Sequence, residues 1–319
     1  MKINFNSLNL SLAGGNRFIF ELTNGLVERG HGVTITHAGL PEYKNWFTPI
    51  KAKVIQCEVP KTTRVLNKIG IKHENLLLIQ QTQLMKHSPN CDVNVATFWA
   101  TASPTLDSKK GKPYYLIQHY EPTFYPENSQ QAKDAASTYN LCMTKLCVSK
   151  WLTEKVGGVN IGNGINVDAA KVNSELKVPH SVMFSIRSQT YKNSHVLVKL
   201  AKLLQGKGYY VLATNENVSE EALNRMYNQA EIFVNVSDKE GYGYQPLEAM
   251  AHGCYVFSTP CSEYLNAENH VPIEELSAEY IIQRILDFKP YDKMLKAGHE
   301  TVNANRFDGV VDRFLEAVT

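Results

Sequence analysis

A chain of 319 residues, 43% apolar, 10% aromatic and 20% charged, is long enough for two domains with cores of their own. That composition excludes a disordered or low-complexity protein. With 33 Lys and Arg against 31 Asp and Glu, the formal net charge is +2, which argues against nucleic acid as a partner held by charge. The six cysteines (Cys57, Cys91, Cys142, Cys147, Cys254 and Cys261) form no C-x-x-C pair and no cluster with His, and read as reduced thiols of a cytoplasmic protein. The opening residues 1–7 turn polar too soon for a secretory signal, and no apolar run approaches the ~18–20 residues that span a bilayer. The glycosylation sequons at Asn217 and Asn235 therefore carry little weight, the second lying inside an apolar run.

Strand and helix patterns alternate along the chain. In the first half, β-branched or apolar runs predict strands at residues 3–6, 33–37, 93–97, 114–118 and 145–149. The second half predicts them at 181–186, 210–214, 232–236 and 255–258. Several runs are apolar throughout, as expected of parallel strands covered on both faces. Phe18, Leu22 and Leu26 step by four through the first helix, which Gly30 closes. Lys61, Arg64, Lys68 and Lys72 lie among apolar residues; a membrane-surface segment and a solvated helix face both stay open there. A stretch of turn formers at 160–174 separates two strand–helix series. The expected fold class is α/β, with two Rossmann-like domains facing a cleft, residues 1–170 and 171–304. Residues 305–319, with Phe307, Val310, Val311, Phe314 and Leu315 on one helical face, are expected to pack back on the first domain.

Residues 240–253 read Glu-Gly-Tyr-Gly-Tyr-Gln-Pro-Leu-Glu-Ala-Met-Ala-His-Gly. This is a flexible loop entering a helix. Gly241 and Gly243 let the backbone approach a ligand, and Pro246 suits a first helical turn. The loop amides of Gly243 and Tyr244, with the helix N-terminus, suit a phosphate. Glu240 precedes the turn and Glu248, after seven intervening residues, is expected in the first helical turn; a carboxylate accepts two hydrogen bonds from neighbouring sugar hydroxyls. Taken singly, either Glu is more commonly a loop residue or a partner of the helix dipole. The ordered set of fourteen is harder to explain structurally.

That pattern resembles the Glu–seven–Glu signature of glycosyltransferase family 4, the retaining GT-B enzymes. Gly14-Gly15-Asn16-Arg17, opening the first helix, resembles the family's glycine loop near the donor phosphates, although a Gly-Gly pair alone is equally an ordinary turn. Arg187 and Lys192, following the strand that ends at 186, resemble the family's cation pair on the donor diphosphate. Gly162-Asn163-Gly164 after Ser149-Lys150-Trp151 resembles the end of the first domain; no strand feeds it directly, which argues against a dinucleotide site. His119, in the string 118–126, occupies the position of the family's His or Asp near the reacting carbon, and Tyr120 and Glu121 beside it are assigned to the acceptor side. The wider string is similar to a subgroup that includes surface-polysaccharide rhamnosyltransferases. One departure is visible: between Lys192 and Ile232 about one strand–helix unit is missing, so the second domain is shortened.

The resemblance implies a nucleotide-sugar donor and a glycan or lipid-linked hydroxyl as acceptor. It implies retention of configuration through same-face attack, the departing phosphate taking the acceptor proton. Arg187 and Lys192 would then stabilise the leaving diphosphate with Gly14, Gly15, Gly243 and Tyr244 assisting. Glu248 would hold the ribose, Glu240 the transferred sugar, and Tyr242 and Gly241 would line the donor. With no paired metal carboxylates, neither metal nor cofactor is expected, and the enzyme would be cytoplasmic, with a peripheral location on the inner membrane face left open. Two rivals remain: a GT-B sugar-nucleotide epimerase, and a silent partner subunit of a glycosyltransferase complex.

Overall fold

A computed structural model describes residues 1–11, 13–39, 49–58, 73–167, 171–215, 218–238 and 240–319. The basic segment 61–72 and the sequon residue Asn217 lie outside the described residues. The chain divides into two units, Met1–Asn163 with Asp308–Thr319, and Gly164–Phe307.

The first unit begins β1 (Lys2–Ser7), α1 (Gly14–Glu28), β2 (Gly32–His37), β3 (Lys53–Gln56), α2 (His73–His87), β4 (Val93–Ala96) and α3 (Trp99–Asp107). It continues β5 (Lys112–Ile117), α4 (Gln130–Ser137), β6 (Thr144–Cys147), α5 (Lys150–Val156) and β7 (Val159–Asn160). The second unit holds β8 (Val178–Ser185), α6 (Ser194–Gly206), β9 (Tyr210–Thr214), α7 (Glu220–Gln229), β10 (Ala230–Asn235) and α8 (Tyr244–Ala251). It ends β11 (Tyr255–Ser258), β12 (Val271–Pro272), α9 (Ala278–Leu286) and α10 (Asp292–Ala304), after which the chain returns to the first unit as α11 (Phe307–Val318).

The first sheet runs β3-β2-β1-β4-β5-β6-β7 with every pair parallel. Its first six positions follow the doubly wound order whose switch point lies between the first and fourth strands. Side chains of β1 alternate across it. Phe5 stacks on Phe314 of α11 at 5.8 Å, whereas Asn4 and Asn6 turn to the opposite face. There Asn4 and Asn6 donate to Asn94 at 2.9 Å, and Asn4 accepts from Thr36 and Asn6 from Ser88, each at 2.8 Å. Buried amides cost little when their partners are met in this way. Helix α11 is further held by Val311, so close to Gly25 that an added Cβ would stand 2.6 Å away, and by an Arg29–Asp312 pair at 2.9 Å.

The second sheet runs β12-β11-β10-β8-β9, also parallel. This is the flavodoxin-like order, with the switch point between β8 and β10 and no strand beyond β9 among the described residues. Among the described residues, α6, β9 and α7 fill the stretch between Lys192 and the start of β10 at Ala230. Phe184, Val234 and Phe257 face α6 and α9, while Met183, Phe233 and Val256 face α8 and Tyr227 of α7.

Strands β3, β7 and β12 were not anticipated from sequence. All three lie at or beside a sheet edge, β3 is largely exposed, and β7 and β12 are two residues each. Such strands carry little of the apolar signal by which buried strands are recognised. The glycines at 162 and 164 also acquire a packing reason. An added Cβ on Gly162, at φ +69°, would meet the Arg313 guanidinium at 2.7 Å; one on Gly164 would meet the Asn305 carbonyl at 2.6 Å. Ile165 there donates its N–H to Asn305 at 3.0 Å.

Candidate active site

In the second unit, three loops at the C-terminal strand ends meet beside the switch point. The loop after β8 contains Arg187 and Lys192 and leads into α6. The loop after β10 contains Glu240 and the glycines and leads into α8. Asn193, in the left-handed region at φ +49°, joins these two, its amide donating to the Val236 carbonyl at 2.9 Å and to Asp238 at 2.7 Å. The Asp238 N–H donates to the Tyr191 carbonyl at 2.9 Å. Lys192 is thereby brought onto Glu240 as an ion pair, both side chains largely buried. The Glu240 N–H reaches the third loop, donating to the Cys261 carbonyl at 3.2 Å. Burial foremost, with the Glu240 charge adding to it, pushes the Cys261 thiol and the Tyr191 phenol up from their ordinary values.

Arg187 lies on the same edge but not in that pair. Its guanidinium donates to the Asn215 carbonyl at 2.9 Å, and its backbone N–H to Ser194 at 2.8 Å. Thus the structure joins Lys192 to Glu240 directly, and anchors Arg187 toward the end of β9.

Gly243 enters α8 at φ +90°, and having no side chain it offers the helix no cap. An added Cβ would collide with Ser262 Oγ at 2.1 Å, and the Tyr264 hydroxyl donates to the Gly243 carbonyl. Only glycine fits this turn. Pro246 is the third helical residue, as a first-turn proline should be. Glu248 is the fifth, so it sits in the second turn and not the first. It is 8% exposed and accepts from the Tyr227 hydroxyl at 3.2 Å. Gly241 is buried in the loop. Tyr242 is packed against Tyr264 at 5.3 Å and donates to Asn305 at 2.6 Å, while the Tyr244 ring stands 6.2 Å from that of Tyr242.

In the first unit, Gly14 and Gly15 open α1 behind Ala13, which has no side-chain acceptor to cap it. An added Cβ on Gly15 would lie 3.3 Å from the Gln118 side chain, so the glycine loop abuts the end of β5. His119 follows, its ring 4.9 Å from Phe124 and 6.3 Å, near perpendicular, from Trp151. The Tyr120 ring stacks on Tyr139 at 5.7 Å, with Lys155 Nζ 5.0 Å from its centre.

Glu121 is 2% exposed. Its Oε2 accepts the Trp99 N–H at 2.7 Å, at the start of α3, and the Tyr115 hydroxyl at 2.6 Å. Its own N–H donates to the Tyr139 hydroxyl at 3.0 Å. Burial pushes this carboxyl up to about 8, the hydrogen bonds from Tyr115 and Trp99 opposing the shift. The Trp99–Tyr115–Tyr139 cage around it was not foreseen; the signal available was a Glu placed among aromatic residues after an apolar strand. Among the described residues no group of three His, Cys, Asp or Glu stands close enough to hold a metal ion, and no helix is long and apolar enough to cross a membrane.

Residues 183–288, which contain every second-unit residue of this site, match the family described as "Glycosyl transferases group 1". Among solved structures, sucrose-phosphate synthase from Thermosynechococcus elongatus is 14% identical, with a TM-score of 0.73 over 99% of this chain and 98% of that one. Anabaena HepE in complex with UDP and glucose is 14% identical, at 0.69 over 99% and 98%. The catalytic domain of starch synthase IV from Arabidopsis thaliana, bound to ADP and acarbose, is 10% identical, at 0.71 over 99% and 98%. No curated protein matches the sequence. These likenesses show the fold: two α/β units on parallel sheets, of the GT-B type.

Proposed function

We propose that the protein is a retaining glycosyltransferase that moves a sugar from a nucleotide-sugar to a hydroxyl of a glycan or lipid-linked acceptor. The observation that carries this reading is the Lys192–Glu240 pair beside the uncapped start of α8, at the switch point of a sheet and inside the family match. Ligands of open α/β sheets bind outside the carboxyl ends of the strands at such points. The helix start, with the amides of Gly243 and Tyr244, suits an anion. Lys192 and Arg187 bring fixed positive charge to the same edge, where a leaving diphosphate gains negative charge as the glycosidic bond breaks. Glu240 then binds hydroxyls of the transferred sugar, and Glu248, buried behind the first turn, the ribose. In the first unit, the family resemblance assigns Gly14 and Gly15 to the donor phosphates and His119 to the sugar near its anomeric carbon. The departing phosphate takes the acceptor proton, so the protein acts by position and electrostatics. The structural neighbours solved in complex with UDP or ADP support a nucleotide-linked donor.

The test is a thermal-shift panel of UDP, GDP, dTDP and their common sugar conjugates. A ligand at ~100 times its Kd should add ~2.7 kcal/mol of stability, which raises Tm by several degrees. If no nucleotide moves the Tm of the wild type, the donor reading fails; a shift that Lys192→Ala retains in full places the donor site away from Lys192. Product analysis of a binding donor separates transfer from epimerisation, since free epimer formed from donor alone would favour an isomerase. Turnover is expected to need no metal or further cofactor; activity lost in chelator and restored by Mn²⁺ would contradict that.

A further inference from the structure

Tyr227 belongs to none of the motifs that mark this sequence, yet the structure ties it to a residue of the candidate site. It lies in the last turn of α7, fully buried, and its hydroxyl donates to Glu248 Oε2 at 3.2 Å. His252, at the C-terminal cap of α8, closes a circuit between the two. Its ring stacks on Tyr227 at 5.3 Å with 25° between the planes, and its Nδ1 donates to the Glu248 carbonyl at 2.8 Å. Burial lowers the His252 pKa, the Glu248 hydrogen bond opposing, which favours the neutral ring. Phe233 of β10 lies against Tyr227 as well, 5.8 Å between ring centres. The main chain behind the ring is held too. Lys177 Nζ donates to the Tyr227 carbonyl at 2.9 Å and to the Ala230 carbonyl at 2.6 Å, and the Cys254 thiol stands 3.4 and 3.2 Å from the same two oxygens. A helix end leaves such carbonyls without intrahelical donors, and a cation there suits its dipole. The hydroxyl is therefore delivered to one place.

We propose that Tyr227 is a positioning residue for the donor: it aims the Glu248 carboxylate at the 2′- and 3′-hydroxyls of a ribose, and so selects ribonucleotide over deoxyribonucleotide donors. This rests on the glycosyl-transfer reading and adds to it how the ribose contact is oriented and which class of nucleotide it selects. A glutamate side chain is long and rich in rotamers, so an unguided carboxylate samples several directions. A diol is received only when both hydroxyls meet the carboxylate at once, which requires its plane to be fixed. The two oxygens of a carboxylate offer about four acceptor positions, and the Tyr227 bond uses one of them. Because the circuit through His252 is already closed, little ordering cost is added when the nucleotide binds. A 2′-deoxyribose brings one hydroxyl fewer and leaves a buried acceptor short of a donor, which costs more than the contact itself.

Isothermal titration calorimetry of the full chain with UDP, 2′-deoxy-UDP, GDP and 2′-deoxy-GDP tests this. The wild type should bind the ribo form of at least one pair about tenfold or more tighter than its deoxy form. Tyr227→Phe keeps the ring between Phe233 and His252 and removes the hydroxyl. It should cut the ratio to within about threefold by weakening the ribo form, with the deoxy affinity changed by less than about threefold. Glu248→Gln should lose the ratio as well, and adding Tyr227→Phe to it should change the ratio no further, because the two act as one unit. A merely structural hydroxyl would lower Tm and leave the ratio where it was. A ratio that Tyr227→Phe keeps and Glu248→Gln loses overturns the role of Tyr227 alone. A ratio kept by both variants, or equal binding of both forms by the wild type, overturns the proposal together with the ribose contact and leaves the donor reading. A wild type that binds no nucleotide overturns the donor reading itself, and this proposal with it.

Discussion

Glu121 should make the protein less stable as pH rises through the neutral range. Its carboxyl moves from an ordinary 4.5 to about 8 in the folded state because burial removes the solvent that would stabilise its charge. Between those values the unfolded chain has lost the proton and the folded protein keeps it. The folded state therefore binds one more proton, and stability falls by ~1.4 kcal/mol per pH unit from this group alone. The contribution is whole below pH 4.5 and is lost by about pH 8, on the order of 5 kcal/mol in all. Because Oε2 accepts from both Trp99 and Tyr115, the proton is accommodated on Oε1. Glu121→Gln keeps an acceptor on one side and N–H on the other without a titrating group. Urea unfolding of wild type and Glu121→Gln at pH 5, 6 and 7 reads the effect. The wild type should lose ~1.4 kcal/mol per unit relative to the variant. Parallel pH dependences of the two proteins would refute the reasoning, because the carboxyl would then be ionised in its cage.

Gly243→Ala should destabilise by roughly 1–3 kcal/mol, since the residue sits at φ +90° and its Cβ would collide with Ser262 Oγ; a Tm lowered by several degrees is expected, and an unchanged one would show that the turn can relax. Phe314→Ala removes the ring stacked on Phe5 and should cost ~3–5 kcal/mol in chemical unfolding, the range for a fully buried aromatic side chain. A double-mutant cycle of Lys192→Ala and Glu240→Ala should give a coupling energy above the ~0.2–1 kcal/mol of exposed pairs, because both groups are largely shielded; a value near zero would place them apart in solution.

Much of the architecture was legible in residue order because its signals are local. Phe18, Leu22 and Leu26 mark α1 by their spacing, and apolar runs mark the central strands β1, β4, β8 and β10, which need cover on both faces. The 240–253 motif likewise placed a bend, a first-turn proline and a helix in sequence, and the turn needs glycine at 243 because Ser262 lies where a Cβ would be. Edge strands β3, β7 and β12 escaped, since pairing on one side leaves no demand for a continuous apolar run.

What no spacing rule could supply is which distant groups share a loop cluster. Lys192 meets Glu240 only because Asn193 and Asp238 stitch two loops that are far apart in the chain. Arg187, five residues from Lys192, instead donates to the Asn215 carbonyl. Glu121, which the sequence resemblance assigns to the acceptor side, becomes a buried proton holder only when Trp99, Tyr115 and Tyr139 close around it. Local patterning therefore determines the elements and their order, through periodicity and backbone sterics. Electrostatic partners and the ionisation they impose belong to the tertiary structure, because charge interactions and desolvation depend on distance in space and not on separation along the chain.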